Sequence, residues 1–190
     1  MGRIVVSEFV SLDGVMEDPG GAEGYRHGGW ALGFDRGPSG DAFKLDELLA
    51  AEVMLLGRVT YQGFAAAWPS REDEQGFAAK MNGMPKYVVS TTLTSADWNN
   101  STVLSGDPIE EITALTARTT GDLLVAGSAQ LVQLLAAHDL VDEYRLMIFP
   151  TLLGAGKRLF ADTDVEIPPR FAVAAVTPAA EVQLVILHRA

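Results

Sequence analysis

Short apolar runs alternate along the chain with longer stretches in which apolar residues recur every three or four positions. The first kind suits strands covered on both faces, the second amphipathic helices. "RIVVSEFVS", rich in β-branched residues, predicts an opening strand. "GDAFKLDELLAAE" sets Phe43, Leu45, Leu48 and Leu49 at helical spacing. "VMLLG" then reads as a buried strand, "RVTYQGFAAAW" as a helix ended by Pro69, and "EDEQGFAAKMNGM" as a short helix. "KYVVST" and "STVLS" follow as strands, and "DPIEEITALTAR" opens a helix with Asp107 at its N-cap and Pro108 at its first position. "DLLVAG" is a strand, "SAQLVQLLAAHDL" a helix and "DEYRLMIFP" a sixth strand. After a loop rich in Gly and Pro, "FAVAAVT" and "EVQLVILHR" predict a closing hairpin. This order predicts a mixed α/β fold, mostly parallel at first and antiparallel at the end. No internal repeat or domain boundary interrupts it, so one domain over 1–190 is expected.

Between Leu12 and Gly40 the pattern lapses into a glycine-rich segment, too long for a plain connection. Tyr25 and Trp30 within it favour a loop that packs on the domain, as a lid would.

Composition narrows the partners. The 190 residues are 48% hydrophobic, enough for a substantial core. A net charge of -11 speaks against nucleic acid and anionic membranes, while leaving room for a small anion in a locally positive pocket. With no cysteine there are no disulfides, thiolate nucleophiles or cysteine-held zinc. The apolar runs are too short to span a bilayer and the N-terminus lacks a cleavage pattern, so a cytoplasmic protein is expected. His27, His138 and His188 show no ligand spacing, and no metal is expected.

Three predicted strand ends carry ligand chemistry. In open α/β sheets such ends face the ligand. "LLGRVT" supplies Gly57 for close approach, the forked cation Arg58 and the hydroxyl of Thr60 at a helix start. "VVSTT" supplies Ser90, Thr91 and Thr92, and "LVAGSAQL" places Gly127, Ser128 and Ala129 where a helix begins. Helix starts bind anions through free N–H groups. Each alone has a plainer reading as a turn, a cap or a surface ion pair. Together they suit a ligand with several phosphates, although neither a G-x-G-x-x-G nor a P-loop pattern is present.

The pieces "SEFVSLDGVM", "LLGRVTYQGF", "KYVVSTTL" and "LLVAGSAQLVQLLAAHDLVDEYRLMIFPTLLGAGKRLF" resemble the dihydrofolate reductase-like family, in its bacterial RibD C-terminal (riboflavin-biosynthesis reductase) form. The resemblance implies a three-layer fold with a mostly parallel central sheet, antiparallel C-terminal strands and helices on both faces. It implies NADPH, with Arg58, Ser90 and Thr91 at the 2′-phosphate, Thr60, Gly127, Ser128 and Ala129 along the pyrophosphate, and Gly57 letting the backbone approach the cofactor. Gly-Ser-Ala replaces the dihydrofolate reductases' glycine run, so the pyrophosphate path is expected to differ.

By the same resemblance an acid at the start of the helix before Gly57 assists protonation. Asp41 stands there, with Asp46 and Glu47 further on and a first-turn helix role as its alternative. Asp13, in "SLDG", is the second candidate, with a turn-capping role as its alternative. Trp30, Gly154 and Lys157 (with Arg158) are candidates for holding the substrate, the cations for a substrate phosphate. The expectation is an NADPH-dependent reductase of a pterin- or pyrimidine-like small molecule, resembling 5-amino-6-(5-phosphoribosylamino)uracil reductase. A non-catalytic NADP(H)- or ligand-binding module on the same scaffold is the alternative, and a homodimer is expected.

Overall fold

The computed structural model describes residues 1–160 and 171–190. Part of the expected Gly- and Pro-rich connection to the closing hairpin therefore lies outside the described residues. Strands are β1 (Arg3–Ser11), β2 (Ala51–Gly57), β3 (Lys86–Val89), β4 (Ser101–Leu104), β5 (Asp122–Val125), β6 (Glu143–Phe149), β7 (Phe171–Ala179) and β8 (Val182–Arg189). Helices are α1 (Gly37–Ala50), α2 (Arg58–Ala67), α3 (Phe77–Gly83), α4 (Pro108–Arg118) and α5 (Ala129–Ala137). All strands join one sheet in the order β4-β3-β2-β5-β1-β6-β8-β7. The ladders are parallel from β4 to β6, and β8 runs antiparallel to both β6 and β7.

Helices cover both faces because alternate residues of β1 are apolar on each. Ile4, Val6 and Val10 pack with Ile112 and Leu115 of α4 and with Leu131, Val132 and Leu135 of α5. Val5 packs on the other face with Leu48 of α1, Tyr61 of α2 and Met81 of α3. Val5 and Val6 have no exposed surface, and each such burial contributes about 1.5–3 kcal/mol. Asp107 caps α4 by accepting the N–H groups of Ile109 and Glu110. Among the described residues no helix is long and apolar enough to cross a membrane.

Helix α1 differs from the sequence expectation: it begins at Gly37, with Pro38 in its first turn, and not at Asp41. Glycine suits both ends of the added turn, because Gly37 has a φ of 59° and both Gly37 and Gly40 are closely approached. A Cβ on Gly37 would lie 3.1 Å from that of Ala180, and one on Gly40 would lie 2.9 Å from the Arg36 Cβ. The segment before α1 is ordered by Asp18, whose carboxylate accepts the N–H groups of Ala22 and Tyr25 while its carbonyl accepts those of Gly21 and Gly29. It leads into a short 3-10 turn, Trp30–Gly33.

Candidate functional site

Strand β5 makes the site by being short. Its pairing with β1 ends at Val6–Val125 and with β2 at Leu55–Val125. Beyond that point β1 continues to Ser11, paired only with β6, so a notch separates β1 from β2. A cavity of about 1110 Å³ occupies this end of the sheet. Such a switch point beyond parallel strand ends is where α/β sheets take ligands.

On one side of the notch the turns after β2 and β5 are stapled together. The Ser128 Oγ accepts the Gly57 N–H at 2.9 Å and shares a hydrogen bond with the Thr60 hydroxyl at 2.9 Å. A Cβ on Gly57 would lie 2.4 Å from that oxygen, and one on Gly127 would lie 2.8 Å from the Thr60 Cγ2. Both glycines are therefore required by close approach. Gly127 and Ser128 both have positive φ, 82° and 72°, so Ser128 adopts the conformation a glycine would. Its hydroxyl, expected to face a ligand, instead joins the two turns.

Neither α2 nor α5 has a side-chain cap, and both start at the cavity. Their first-turn N–H groups are thus available to an anion. Arg58 projects from the start of α2; it is exposed, donates to Gln62 Oε1 at 3.0 Å, and forms no ion pair among the described residues. Ser90 accepts the N–H groups of Thr92 and Leu93, ordering the turn after β3 so that Thr91 and Thr92 also line the cavity. Gly57, Arg58, Thr60, Ser90, Thr91, Gly127, Ser128 and Ala129 all border this single cavity.

The acids fall differently. Asp41 lies in the second turn of α1, outside the cavity lining, with its side chain 58% exposed and 2.6 Å from the Arg36 Nε. The four-residue extension of α1 places it there. Glu47 and Lys44, further along the same helix, face the cavity as an ion pair. Ser7 of β1 donates to Glu47 Oε1 at 2.7 Å and accepts from Lys44 Nζ at 2.8 Å. The second Glu47 oxygen is buried without a partner among the described residues. Glu8, next along β1, also lines the cavity; it is 6% exposed and accepts the Gly127 N–H at 2.9 Å. Burial pushes its carboxyl up to about 8, against the opposing pull of that N–H and of Lys44.

Asp13 does not line the cavity; it clamps two loops. Its carboxylate accepts from the Ser11 hydroxyl at 2.7 Å and from the N–H groups of Leu153 and Gly154 at 3.1 and 2.7 Å. These bonds, the Ser11 hydroxyl first, pull it down to about 2, which suits a fixed anion and not a proton donor at neutral pH. Arg158 donates to the Asp13 carbonyl and lies 3.8 Å from its carboxylate. Lys157 borders the cavity but pairs with Glu17 at 3.0 Å. Trp30 does not line the cavity; its ring stands edge-on to Phe149 and it donates to the Glu17 carbonyl at 2.8 Å. Gly154, Lys157 and Trp30 therefore belong first to loop structure. Glu8, Ser7 and Lys44 were not singled out by motif, yet the sequence holds a signal: Ser and Glu interrupt a strand otherwise built for burial on both faces.

A family model for the RibD C-terminal domain matches residues 3–179. Uncharacterized protein YyaP of Bacillus subtilis (strain 168) is 29% identical over 168 residues, covering 87% of this chain and 84% of its own. Solved structures show the same fold. A protein of Shewanella sp. PV-4 assigned to riboflavin biosynthesis superposes with a TM-score of 0.77 at 20% identity, over 99% of each chain. The diaminohydroxyphosphoribosylaminopyrimidine deaminase/5-amino-6-(5-phosphoribosylamino)uracil reductase of Thermotoga maritima gives 0.66 at 17% identity, over all of this chain and 57% of its own. Dihydrofolate reductase of Enterococcus faecalis, complexed with NADP(H) and RAB-propyl, gives 0.57 at 14% identity, over 98% of this chain and 96% of its own.

Proposed function

The chain belongs to the RibD C-terminal domain family, and from that premise we propose that it is an NADPH-dependent reductase of a pterin- or pyrimidine-like small molecule. One observation carries the reading: a guanidinium without an ion pair among the described residues, two uncapped helix starts and the Ser90–Thr92 hydroxyls converge on one cavity at the ends of β2, β3 and β5. That donor set fits a dinucleotide with a ribose phosphate. Arg58 would grip the 2′-phosphate beside Ser90 and Thr91, and the starts of α2 and α5, with Thr60 and Gly127 to Ala129, would hold the pyrophosphate. When bound, reduced nicotinamide supplies the hydride. The chain must orient the acceptor, exclude water and supply a proton. Phe9, Phe34, Phe64 and Phe149 offer the cavity flat apolar surface for a ring. With Lys157 and Arg158 engaged by Glu17 and Asp13, support is stronger for the ring than for a phosphorylated sugar.

A homodimer in the cytoplasm is part of the same reading. Val173 and Val176 are 65% and 59% exposed on β7, an edge strand of nine residues, which a second copy would cover.

Thermal shift with NADPH and with NADH tests the cofactor, followed by NADPH oxidation with 7,8-dihydropterin and 5-amino-6-ribosylaminouracil. Stabilisation by NADPH over NADH with turnover of either acceptor is expected. Binding without turnover would favour the non-catalytic module, and no stabilisation by NADPH would end the proposal.

A further inference from the structure

The cavity holds two buried carboxyls in opposite surroundings. Glu47 has a cation, Lys44, and a hydroxyl donor, Ser7. Among the described residues Glu8 has no cation in contact, only the Gly127 N–H on Oε1. When neighbouring acids are held so differently, the environment divides the labour between them, and the one without a cation is placed to carry a proton. Glu8 stands on β1 beside the notch, with its backbone paired to Leu146 of β6 and its carboxyl tied to the turn that opens α5. The strand fixes its position, and the single bond to Gly127 leaves its second oxygen free to act. The charged groups acting on it are Lys44, which is spoken for by Glu47 and Ser7, and Glu47 itself, whose negative charge favours a neutral Glu8.

Building on the reductase reading, we propose that Glu8 is the catalytic acid, giving its carboxyl proton to the acceptor as the hydride arrives. Atoms and electrons balance as follows. The carbon of the acceptor's C=N or C=O bond gains a hydride from the reduced nicotinamide, which leaves oxidised. The π pair moves to the heteroatom, the Glu8 O–H bond breaks, and the heteroatom gains that proton. The resulting carboxylate is reprotonated from solvent through the cavity. A neutral Glu8 at pH 7 is the state this step needs, and its burial supplies that state.

The test compares wild type with Glu8→Gln, which keeps an acceptor for the Gly127 N–H, and with Glu8→Asp, which keeps an acid. In 13C-glutamate-labelled protein, wild type should show a carboxyl titrating near pH 8 that is missing from Glu8→Gln. NADPH should stabilise wild type and Glu8→Gln to within about threefold in affinity, since the amide oxygen still accepts the Gly127 N–H and keeps that turn in place. With 7,8-dihydropterin or 5-amino-6-ribosylaminouracil, wild-type kcat should be flat below pH 8 and fall tenfold per unit above it. Glu8→Gln should lower kcat by about 100-fold or more and abolish that limb, while Glu8→Asp retains it. Should Glu8→Gln unfold, Glu8→Asp and the wild-type titration decide: a wild-type carboxyl midpoint below 6, or a fully active Glu8→Asp whose kcat shows no fall at high pH, overturns the assignment. Full activity in Glu8→Gln overturns it and leaves the reductase standing. No NADPH binding and no turnover by wild type overturns both.

Discussion

Adding one methyl group at Gly57 probes the staple between the β2 and β5 turns. The backbone there, φ -83° and ψ 162°, is open to any residue, so alanine meets no conformational strain of its own. The obstacle is steric, because the new Cβ would lie 2.4 Å from Ser128 Oγ and 2.7 Å from Ser128 Cβ. Ser128 cannot yield cheaply, since its φ of 72° already confines it and its oxygen is held by Gly57 and Thr60. Losing those hydrogen bonds costs about 1 kcal/mol each. Overpacking adds about 1–3 kcal/mol. The lower unfolded-state entropy of alanine returns about 0.4–1 kcal/mol. The net loss is about 2–5 kcal/mol, or a fall in Tm of about 4–20 °C for a chain of this size. Calorimetry on Gly57→Ala, Ser128→Gly and the double variant reads this directly. Ser128→Gly removes the obstacle and relaxes the left-handed position, so the double variant should recover at least half of the Gly57→Ala loss. A double variant whose loss equals the sum of the two single ones would refute the steric account, because contacting residues should not be additive.

Arg58→Ala should raise the Kd for NADPH by about 10–100-fold, the worth of a charge-assisted phosphate contact, and leave NADH nearly unchanged. Titration calorimetry with both cofactors checks it, and equal losses would contradict the 2′-phosphate role. The same variant should unfold within about 1 °C of wild type without ligand, since the exposed guanidinium bonds only Gln62. Asp13→Ala should free the loops that Leu153 and Gly154 join to Ser11, giving faster proteolysis between residues 12 and 36. Because the Asp13 carboxyl is depressed to about 2, its stabilisation is complete above its ordinary 3.8 and lost as pH falls through 2. Melting curves of wild type and Asp13→Ala should accordingly converge over that window, and a gap that persists at pH 2 would count against the clamp. Val173→Lys with Val176→Lys should convert a dimer to monomer by light scattering without lowering Tm in dilute solution; an unchanged mass would move the interface elsewhere.

Strands β1 to β6 were legible because parallel strands covered on both faces are written as unbroken apolar runs, and the helix starts after β2 and β5 announced themselves through Gly57 and Gly127. Those two features brought the cofactor-side candidates to one cavity. The catalytic side was harder. Gly37 to Gly40 has the composition of a loop, yet it forms the first turn of α1 with Gly37 close to Ala180, a neighbour that no local pattern records. That shift turns Asp41 outward and leaves Lys44 and Glu47 facing in. Glu8 read as one polar position in a strand, since alternation cannot tell which side of β1 will be closed by a turn arriving 119 residues later. Loop clamps such as Asp13 with Gly154 were equally invisible, because their partners lie 141 residues apart.

The late insertion of β5 between β1 and β2 also has a consequence for biosynthesis. The β1 and β2 walls leave the ribosome early, yet the wedge that spaces them and the turn that locks Gly57 to Ser128 emerge only with residues 122 to 129. A nascent chain halted before that point has two strand edges waiting for a neighbour and no notch between them. On the reductase reading, nucleotide capture would therefore report that β5 has been inserted, and distant pairings of this kind set the pace of folding.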